Sequence, residues 1–455
     1  MIQEQPKIAL VSLGCPKNLV DSERILADLS LDGFVPTPSY DHADVILVNT
    51  CGFIDGAKKE SVETLVEISA LKKASANGNG GPVVVATGCL VQRYGEDLRR
   101  EIPEIDAFVG PGEYGRLREL VRALLREKPD AAPLLVEGRD TAPLGGPRLL
   151  LTPRHYAYLR LSEGCDNPCT FCSIPGIRGR YRSRPEAEIL EEAARLARDG
   201  AKELVLIGQD TTEYGLDLTG RRTLGDLIRR LDEVAEGVEW IRLLYAYPAH
   251  LDDDVLVAIA GGKRTAKYID VPTQHASSHV LRRMGRRMTR ESTAALFRRI
   301  REIVPGIAIR TTILVGSPGE REEDHQGLLE FLREMRFERL GAFQFSLEEG
   351  TPAARMDSSV DPETTLRRHR EVMLLQQEIA FEANAREVGT VRRVLVDEVD
   401  PEHPTVHISR TEHDAPGIDR VVRLRVGRGK RTPPGTFVDA RITGTKGYDL
   451  LACPA

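Results

Sequence analysis

Seven cysteines carry most of the chemical potential of this 455-residue sequence, and their spacing divides them into three, three and one. Cys165-Asp-Asn-Pro-Cys169-Thr-Phe-Cys172 is a CxxxCxxC segment. A tight loop with that spacing aims three thiolates at one centre. Three protein ligands on a four-iron cluster leave one iron open to a small molecule, with the potential set by burial and hydrogen bonding. The rival reading is a zinc knuckle. Structural zinc normally takes a fourth protein ligand at similar spacing, however, and the next cysteine is Cys453. Cys15, Cys51 and Cys89 are separated by 36 and 38 positions, yet each closes a short apolar run: KIALVSLG, VILVNT and VVVATG. Ligands in open α/β sheets gather beyond the carboxyl ends of strands, so these three thiols can converge on a second cluster. A zinc site or three small buried residues is the alternative. Cys453 follows the last predicted strand and reads as a non-ligand thiol.

The elements that must position these thiols follow from hydropathy. Apolar runs at 7–13, 45–50, 83–88 and 107–110 alternate with amphipathic stretches such as Gly56 to Lys72 and Glu113 to Arg126. Strands alternating with helices imply a parallel sheet covered on both faces, so residues 1–126 predict a doubly wound domain. A Pro-, Gly- and charge-rich stretch follows, and 127–152 reads as a linker. Between 153 and 361 lie six strand candidates, at 156–161, 203–208, 240–247, 268–272, 307–316 and 341–346, separated by helical patterns such as Glu186 to Asp199 and Thr289 to Ile303. Six such units suggest an α/β barrel of the (β/α) TIM type, complete or partial, with its chemistry at the C-terminal strand ends. CxxxCxxC follows the first of them. A charged linker helix over 362–387 leads into 388–455, where short strands with Gly, Pro and Asp turns predict a small all-β barrel. The fold class is thus α/β in three domains, as the length also suggests.

With 41% hydrophobic and 29% charged residues, the composition is that of an ordinary globular chain. A formal charge of −6 excludes a generally basic nucleic-acid coat but not a local basic patch. No run approaches the roughly 18 apolar residues of a membrane span. MIQEQPKIALVSLG lacks a basic segment before a long apolar one, so it reads as a first strand rather than a signal peptide. A cytoplasmic location is expected, and there an odd number of cysteines argues against a disulfide framework.

CxxxCxxC after the first strand of a barrel of this size resembles the radical S-adenosylmethionine (SAM) superfamily. The flanking residues narrow the resemblance. Leu13-Gly14-Cys15-Pro16-Lys17-Asn18 with Asp21-Ser22-Glu23, Asn49-Thr50-Cys51-Gly52-Phe53-Ile54, and Gly88-Cys89 look like the N-terminal domain of the methylthiotransferases. Cys172-Ser-Ile-Pro-Gly-Ile-Arg178-Gly179-Arg180-Tyr-Arg182-Ser-Arg184 continues the likeness past the radical SAM loop, and the closing barrel resembles their TRAM domain. The resemblance covers essentially the whole chain, in order. It implies two [4Fe-4S] clusters, one on Cys15, Cys51 and Cys89 and one on Cys165, Cys169 and Cys172. It also implies SAM chelated to the open iron of the second cluster. Gly208-Gln209-Asp210 stands where the superfamily often carries a Gly-Gly-Glu-like turn toward the methionyl amine. Arg310-Thr-Thr-Ile-Leu-Val-Gly316-Ser-Pro-Gly319-Glu320 resembles the later strand that contacts adenine and the methionyl carboxylate. Gln209, Asp210, Gln274, Arg310 and Gly316 are therefore the cofactor-binding candidates. A structural ion pair for Arg310 and an ordinary turn for Gly316 and Gly319 are the plain alternatives. No catalytic side chain beyond the cluster ligands is indicated. Arg178, Arg180, Arg182 and Arg184 either hold a substrate or SAM carboxylate or brace the loop. Tyr245 and Tyr247 either make strand-end contacts or pack the barrel.

Members of this family act on a transfer-RNA adenosine or on the β-carbon of an aspartate in the small-subunit ribosomal protein S-twelve. The RNA branch tends to show Tyr-Gly-Cys-Gln-Met-Asn at the first cysteine and Gln-Ser-Gly-Ser later. This chain has Gly14-Cys15-Pro16-Lys17-Asn18 and Gln274-His275-Ala276-Ser277, like the protein-modifying branch, with one departure at Ser278-His279, where Asp-Arg is usual. Leu243-Leu-Tyr245-Ala-Tyr247-Pro248 stands where the RNA branch tends to have a Thr/Ser-x-His-Pro run. Residues 386–455 hold 12 Lys and Arg against 10 Asp and Glu, a weak footprint for an RNA-gripping module. The run 421–431 is locally basic, which also suits a solvated strand edge. The resemblance implies a two-SAM reaction: one SAM methylates a sulfur carried at the N-terminal cluster, and the other yields the 5′-deoxyadenosyl radical that takes the β-hydrogen. It further implies an electron donor such as flavodoxin or ferredoxin, and leaves the sulfur donor open. A transfer-RNA methylthiotransferase and a non-catalytic metal-stabilised RNA-binding module are the alternative readings.

Overall fold

The structure is a computed structural model that describes residues 5–75, 81–127, 129–138, 145–427 and 432–455. The N-terminal part is a parallel sheet in the order β2-β1-β3-β4-β5-β6, formed by β1 (Lys7–Ser12), β2 (Val35–Pro36), β3 (Val45–Thr50), β4 (Val83–Gly88), β5 (Ala107–Val109) and β6 (Leu134–Leu135). Helices α1 (Pro16–Leu31) and α4 (Leu117–Arg126) pack on one face, and α2 (Asp55–Ser75) and α3 (Cys89–Glu101) on the other. Strands β3 and β4 are buried along their whole length, which is why they read as unbroken apolar runs. The stretch read as a linker contributes β6, whose Leu134 and Leu135 pair with Phe108 and Val109. Positions 128 and 139–144 of that stretch lie outside the described residues.

The middle of the chain holds β7 (Tyr156–Arg160), a short antiparallel ribbon of β8 (Ser162–Glu163) and β9 (Arg182–Ser183), then β10 (Glu203–Ile207), β11 (Trp240–Leu243), β12 (Thr265–Asp270), β13 (Ala308–Val315) and β14 (Arg339–Gln344). Its helices are α5 (Ile174–Arg178), α6 (Glu186–Arg198), α7 (Leu216–Thr219), α8 (Leu224–Val234), α9 (Asp253–Gly261), α10 (Ser278–Arg283), α11 (Arg290–Ile303) and α12 (Glu322–Met335). The parallel sheet runs β14-β13-β12-β11-β10-β7 and does not close, so the barrel is partial. Strand β11 stops four residues earlier than the apolar run predicts. Tyr245 takes φ +60° there, and its N–H donates to the Asp270 carboxylate (3.1 Å) instead of to a neighbouring strand.

Helix α13 (Pro362–Glu387), capped by Asp361, leads to a closed barrel in the order β15-β16-β17-β19-β18. Its strands are β15 (Val391–Val399), β16 (Val406–Thr411), β17 (Val422–Arg425), β18 (Phe437–Lys446) and β19 (Asp449–Pro454). The last strand corrects the sequence reading: Cys453 lies within β19, opposite Arg441, and not beyond the final strand. Residues 428–431 of the basic run lie outside the described residues. Among the described residues no helix is long and apolar enough to cross a membrane.

The small barrel plugs the concave face of the open one. Leu395, Ala415 and Phe437 join Tyr158, Val205, Trp240 and Tyr268 in one apolar cluster, with Val20 of α1. Around it, charges cross the joint. Arg410 reaches Glu203 (2.6 Å), Arg339 reaches Asp414 (2.5 Å), and the Tyr268 hydroxyl donates to Asp419 (2.7 Å). Buried ions of this kind hold only because each is paired and hydrogen-bonded.

A second joint lies at the end of the interdomain stretch. Arg148 ion-pairs with Glu23 of α1 and with Glu192 of α6 (2.5 Å), and Arg184 also reaches Glu192 (2.7 Å). Burial by itself raises the Glu192 carboxyl, but Arg148, Arg184 and Arg24 outweigh it and hold it down at about 2. A carboxyl lowered by folding stabilises the protein above its unfolded value of roughly 4.3 and loses that stabilisation as pH falls through the folded value. Thermal unfolding followed between pH 5 and pH 2 should therefore show a steep loss below about pH 4.3, and Glu192→Gln should flatten it.

Candidate active site

The first triad is assembled by strand order. β1, β3 and β4 are adjacent in the sheet, and Cys15, Cys51 and Cys89 stand just past their carboxyl ends. Cys15 caps α1 and Cys89 opens α3, while the Cys51 N–H donates to Ser61 (3.0 Å). Gly14 makes the close approach possible. It has φ +87°, and a Cβ there would stand 2.6 Å from the Cys51 Cβ and 2.9 Å from its sulfur. Asn18 locks the base of the site, donating to the Leu13 and Thr50 carbonyls (3.1 and 2.9 Å).

The second triad sits beyond β7, where the sequence places it. Cys165 follows Gly164, whose φ of +74° leaves no room for a side chain: a Cβ would meet the Arg180 carbonyl oxygen at 2.0 Å. The loop is pinned from below, since the Thr170 N–H and hydroxyl donate to the carbonyls of Met284 (3.0 Å) and Arg283 (2.9 Å). Asn167 donates to the Cys165 sulfur (3.3 Å) and to Asp210 (2.8 Å).

The donor sets suit iron–sulfur clusters. Each consists of three thiols and no carboxylate or imidazole. The ligand-type side chains drawn within 4.8 Å of one another among the described residues are Asp210, Glu213 and His250, so neither cysteine triad is pulled in around a single small ion. Burial pushes the Cys89 and Cys172 thiols up to about 12 and the Cys165 thiol up to about 11. Free thiols in these positions stay protonated at neutral pH, and a bound metal centre displaces the proton. Gly14→Ala should push the Cys51 sulfur out of place. Anaerobically reconstituted Gly14→Ala protein is expected to hold about half the wild-type iron by colorimetric assay, the second triad being untouched.

Arg178 joins the two sites. It ends α5, just past the second triad, yet its guanidinium points into the first. Its Nε donates to the Cys89 sulfur (3.3 Å) and Nη2 to Asn18 (2.5 Å), while Nη1 lies 2.7 Å from Asp21 and 3.3 Å from Glu163. Arg160 from β7 completes the network, at 2.6 Å from Asp21 and 2.8 Å from Glu163. Across the mouth, Glu348 beyond β14 ties down Arg93 (2.7 Å) and Lys58 (3.0 Å) of the N-terminal domain.

The remaining candidates spread out. Gln209 donates to Glu163 (2.6 Å), and its Oε1 is buried without a hydrogen bond among the described residues. Asp210 accepts from the Thr212 N–H (2.9 Å), Asn167 and His250 (3.0 Å). Gln274 has φ +71° and bridges to β13 through its main chain. Arg310 faces Asp270 and Asp419 at 3.8 Å each, at the joint with the small barrel. Gly316 lies against Thr365 of α13, where a Cβ would meet Oγ1 at 2.4 Å. Of the four arginines after the second triad, Arg184 is buried on Glu192 and the Arg160 carbonyl, so it braces the barrel, and Arg180 is exposed with Nε 3.6 Å from Asp166. Tyr247 stacks beside Arg286 (4.6 Å). Asn167, Glu163 and His250 went unnoticed in the sequence. Asn167 and Glu163 flank Cys165 and were legible as its neighbours, whereas His250, 40 positions beyond Asp210, carried no local signal.

Comparison with known proteins agrees with this architecture. Residues 7–110 match the family described as uncharacterized protein family UPF0004, 159–332 the radical SAM superfamily, and 388–454 the TRAM domain. The chain is 43% identical over 445 residues to a protein of Clostridium tetani named ribosomal protein uS12 methylthiotransferase RimO, covering 98% of this chain and 97% of that one. It is 44% identical to the protein of the same name from Pelotomaculum thermopropionicum, covering 98% of each. Among solved structures it is similar in fold to the radical SAM methyltransferase TsrM from Kitasatospora setae with tryptophan and a SAM analog bound. That likeness has a TM-score of 0.56 at 16% identity, over 87% of this chain and 79% of the other.

Proposed function

The chain belongs to the ribosomal protein uS12 methylthiotransferase family of radical SAM enzymes, and from that premise we propose that it adds a methylthio group to the β-carbon of an aspartate of uS12. When bound, SAM and the two [4Fe-4S] clusters supply the 5′-deoxyadenosyl radical and the methylthio group. The observation that carries the reading is Arg178, which ends the helix just past the second triad and donates to the Cys89 sulfur of the first.

In this reading Cys15, Cys51 and Cys89 hold one cluster and Cys165, Cys169 and Cys172 the other. Asn167 steadies the Cys165 sulfur and is itself held by Asp210. Gln209 offers its unpartnered Oε1 as the acceptor for the SAM amino group. Gln274 and Gly316 shape the strand ends beside it, and Arg310 secures the wall against the small barrel. The N-terminal domain, tied across the mouth by Glu348 to Lys58 and Arg93, excludes water from the radical step. A flavodoxin- or ferredoxin-type donor supplies the electron.

The test is incubation of reconstituted protein with SAM, reductant and either purified uS12 or unmodified transfer RNA, read by mass spectrometry. A methylthio mass increment on an aspartate of uS12, with none on RNA, is expected. Modification of adenosine alone would overturn the proposal.

A further inference from the structure

We propose that Lys17 is the cation that receives the side-chain carboxylate of the substrate aspartate and so selects it. This deepens the reading above and rests on it. Lys17 lies in the first turn of α1, two residues after Cys15, and only 8% of it is exposed. Its ammonium sits 3.3 Å from the ring centroid of Tyr245, at the carboxyl end of β11. Among the described residues no carboxylate lies within ion-pair distance of it. Asp21, on the same helix, is held by Arg160 and Arg178, and Asp270 by Arg310 and the Tyr245 N–H.

Among the described residues the partners of this ammonium are Tyr245, as ring and hydrogen-bond acceptor, and the nearby Cys15 sulfur, with no carboxylate. A cation in the first turn opposes the helix dipole, and a cation–π contact returns only part of the hydration that burial removes. The position is therefore suited to an anion brought from outside. Tyr245, which presents its ring, is held in the left-handed region at φ +60°, the kind of local strain that the surrounding structure must maintain. The Lys17–Tyr245 contact also joins the cysteine-bearing end of the N-terminal sheet to the barrel mouth, and a substrate that meets both sites must approach this contact. Fixing a carboxylate there fixes the β-carbon bonded to it, which is the atom to be modified.

The competing task is neutralising the cluster on Cys15, and the experiment separates the two. Lys17→Met and wild type, reconstituted to equal iron, are compared for binding of uS12 and of uS12 with the target aspartate changed to asparagine. Wild type is expected to prefer the aspartate form by about 10- to 100-fold, and Lys17→Met to bind both alike. A Lys17→Met protein that keeps the wild-type preference while its cluster potential moves would overturn the proposal and assign Lys17 to the cluster. If Lys17→Met cannot be loaded with iron, the wild-type pair still decides: equal affinity for the two forms defeats the proposal. Absence of uS12 binding by wild type would instead defeat the underlying reading together with it.

Discussion

Cys51→Ala protein should still cleave SAM to methionine and 5′-deoxyadenosine but form no methylthiolated product, whereas Cys165→Ala should do neither. The asymmetry follows from the geometry. Cys51 directly follows β3 of the N-terminal sheet, whereas the radical SAM loop is held by its own contacts at Gly164, Thr170 and Asn167. Loss of one thiol ligand removes the cluster it serves, so iron should fall from about eight to about four per chain in either variant. Chromatographic assay of 5′-deoxyadenosine alongside mass spectrometry of uS12 distinguishes them. Full methylthiolation by Cys51→Ala would disprove the two-cluster account. Cys453→Ala is the control: it lies on β19 in the small barrel and should keep all the iron.

Arg178→Ala should be the most disruptive change outside the cysteines. The guanidinium serves four partners at once, Cys89, Asn18, Asp21 and Glu163, and is itself nearly inaccessible. Removing it leaves Arg160 as the remaining cation for Asp21 and Glu163, two buried carboxylates on one guanidinium. Breaking a buried ion network in this way costs about 3–5 kcal/mol, enough to lower the unfolding midpoint by several degrees. It should also loosen the N-terminal domain from the barrel, seen as faster proteolysis in the 127–152 stretch. Arg178→Lys should not rescue, because one ammonium cannot reproduce the planar fork that reaches a sulfur, an amide oxygen and two carboxylates. An unchanged unfolding midpoint in Arg178→Ala would show that the joint does not depend on this network.

Most secondary structure was legible because its signal is local. VILVNT and VVVATG coincide with β3 and β4 since both faces of those strands are buried, and VRRVLVDEV coincides with β15. The errors have local causes too. The apolar run through Tyr245 continues after the backbone has turned, and β6 and β19 are edge or closing strands whose short sequences lack a distinctive period.

By itself, the sequence pointed to the thiols proposed to bind iron and fixed where along the chain they fall, because thiol chemistry and strand ends are properties of a few neighbouring residues. Only the tertiary structure decided what lies between them. Whether Cys15, Cys51 and Cys89 meet depends on β1, β3 and β4 being neighbours, which is a matter of sheet order. That Arg178 serves Cys89, that Arg310 faces Asp419, and that Lys17 lies under Tyr245 are contacts between residues roughly 90 to 230 positions apart. Such pairs leave no trace in local periodicity, since burial and charge pairing are settled only when separate elements pack and water is expelled between them.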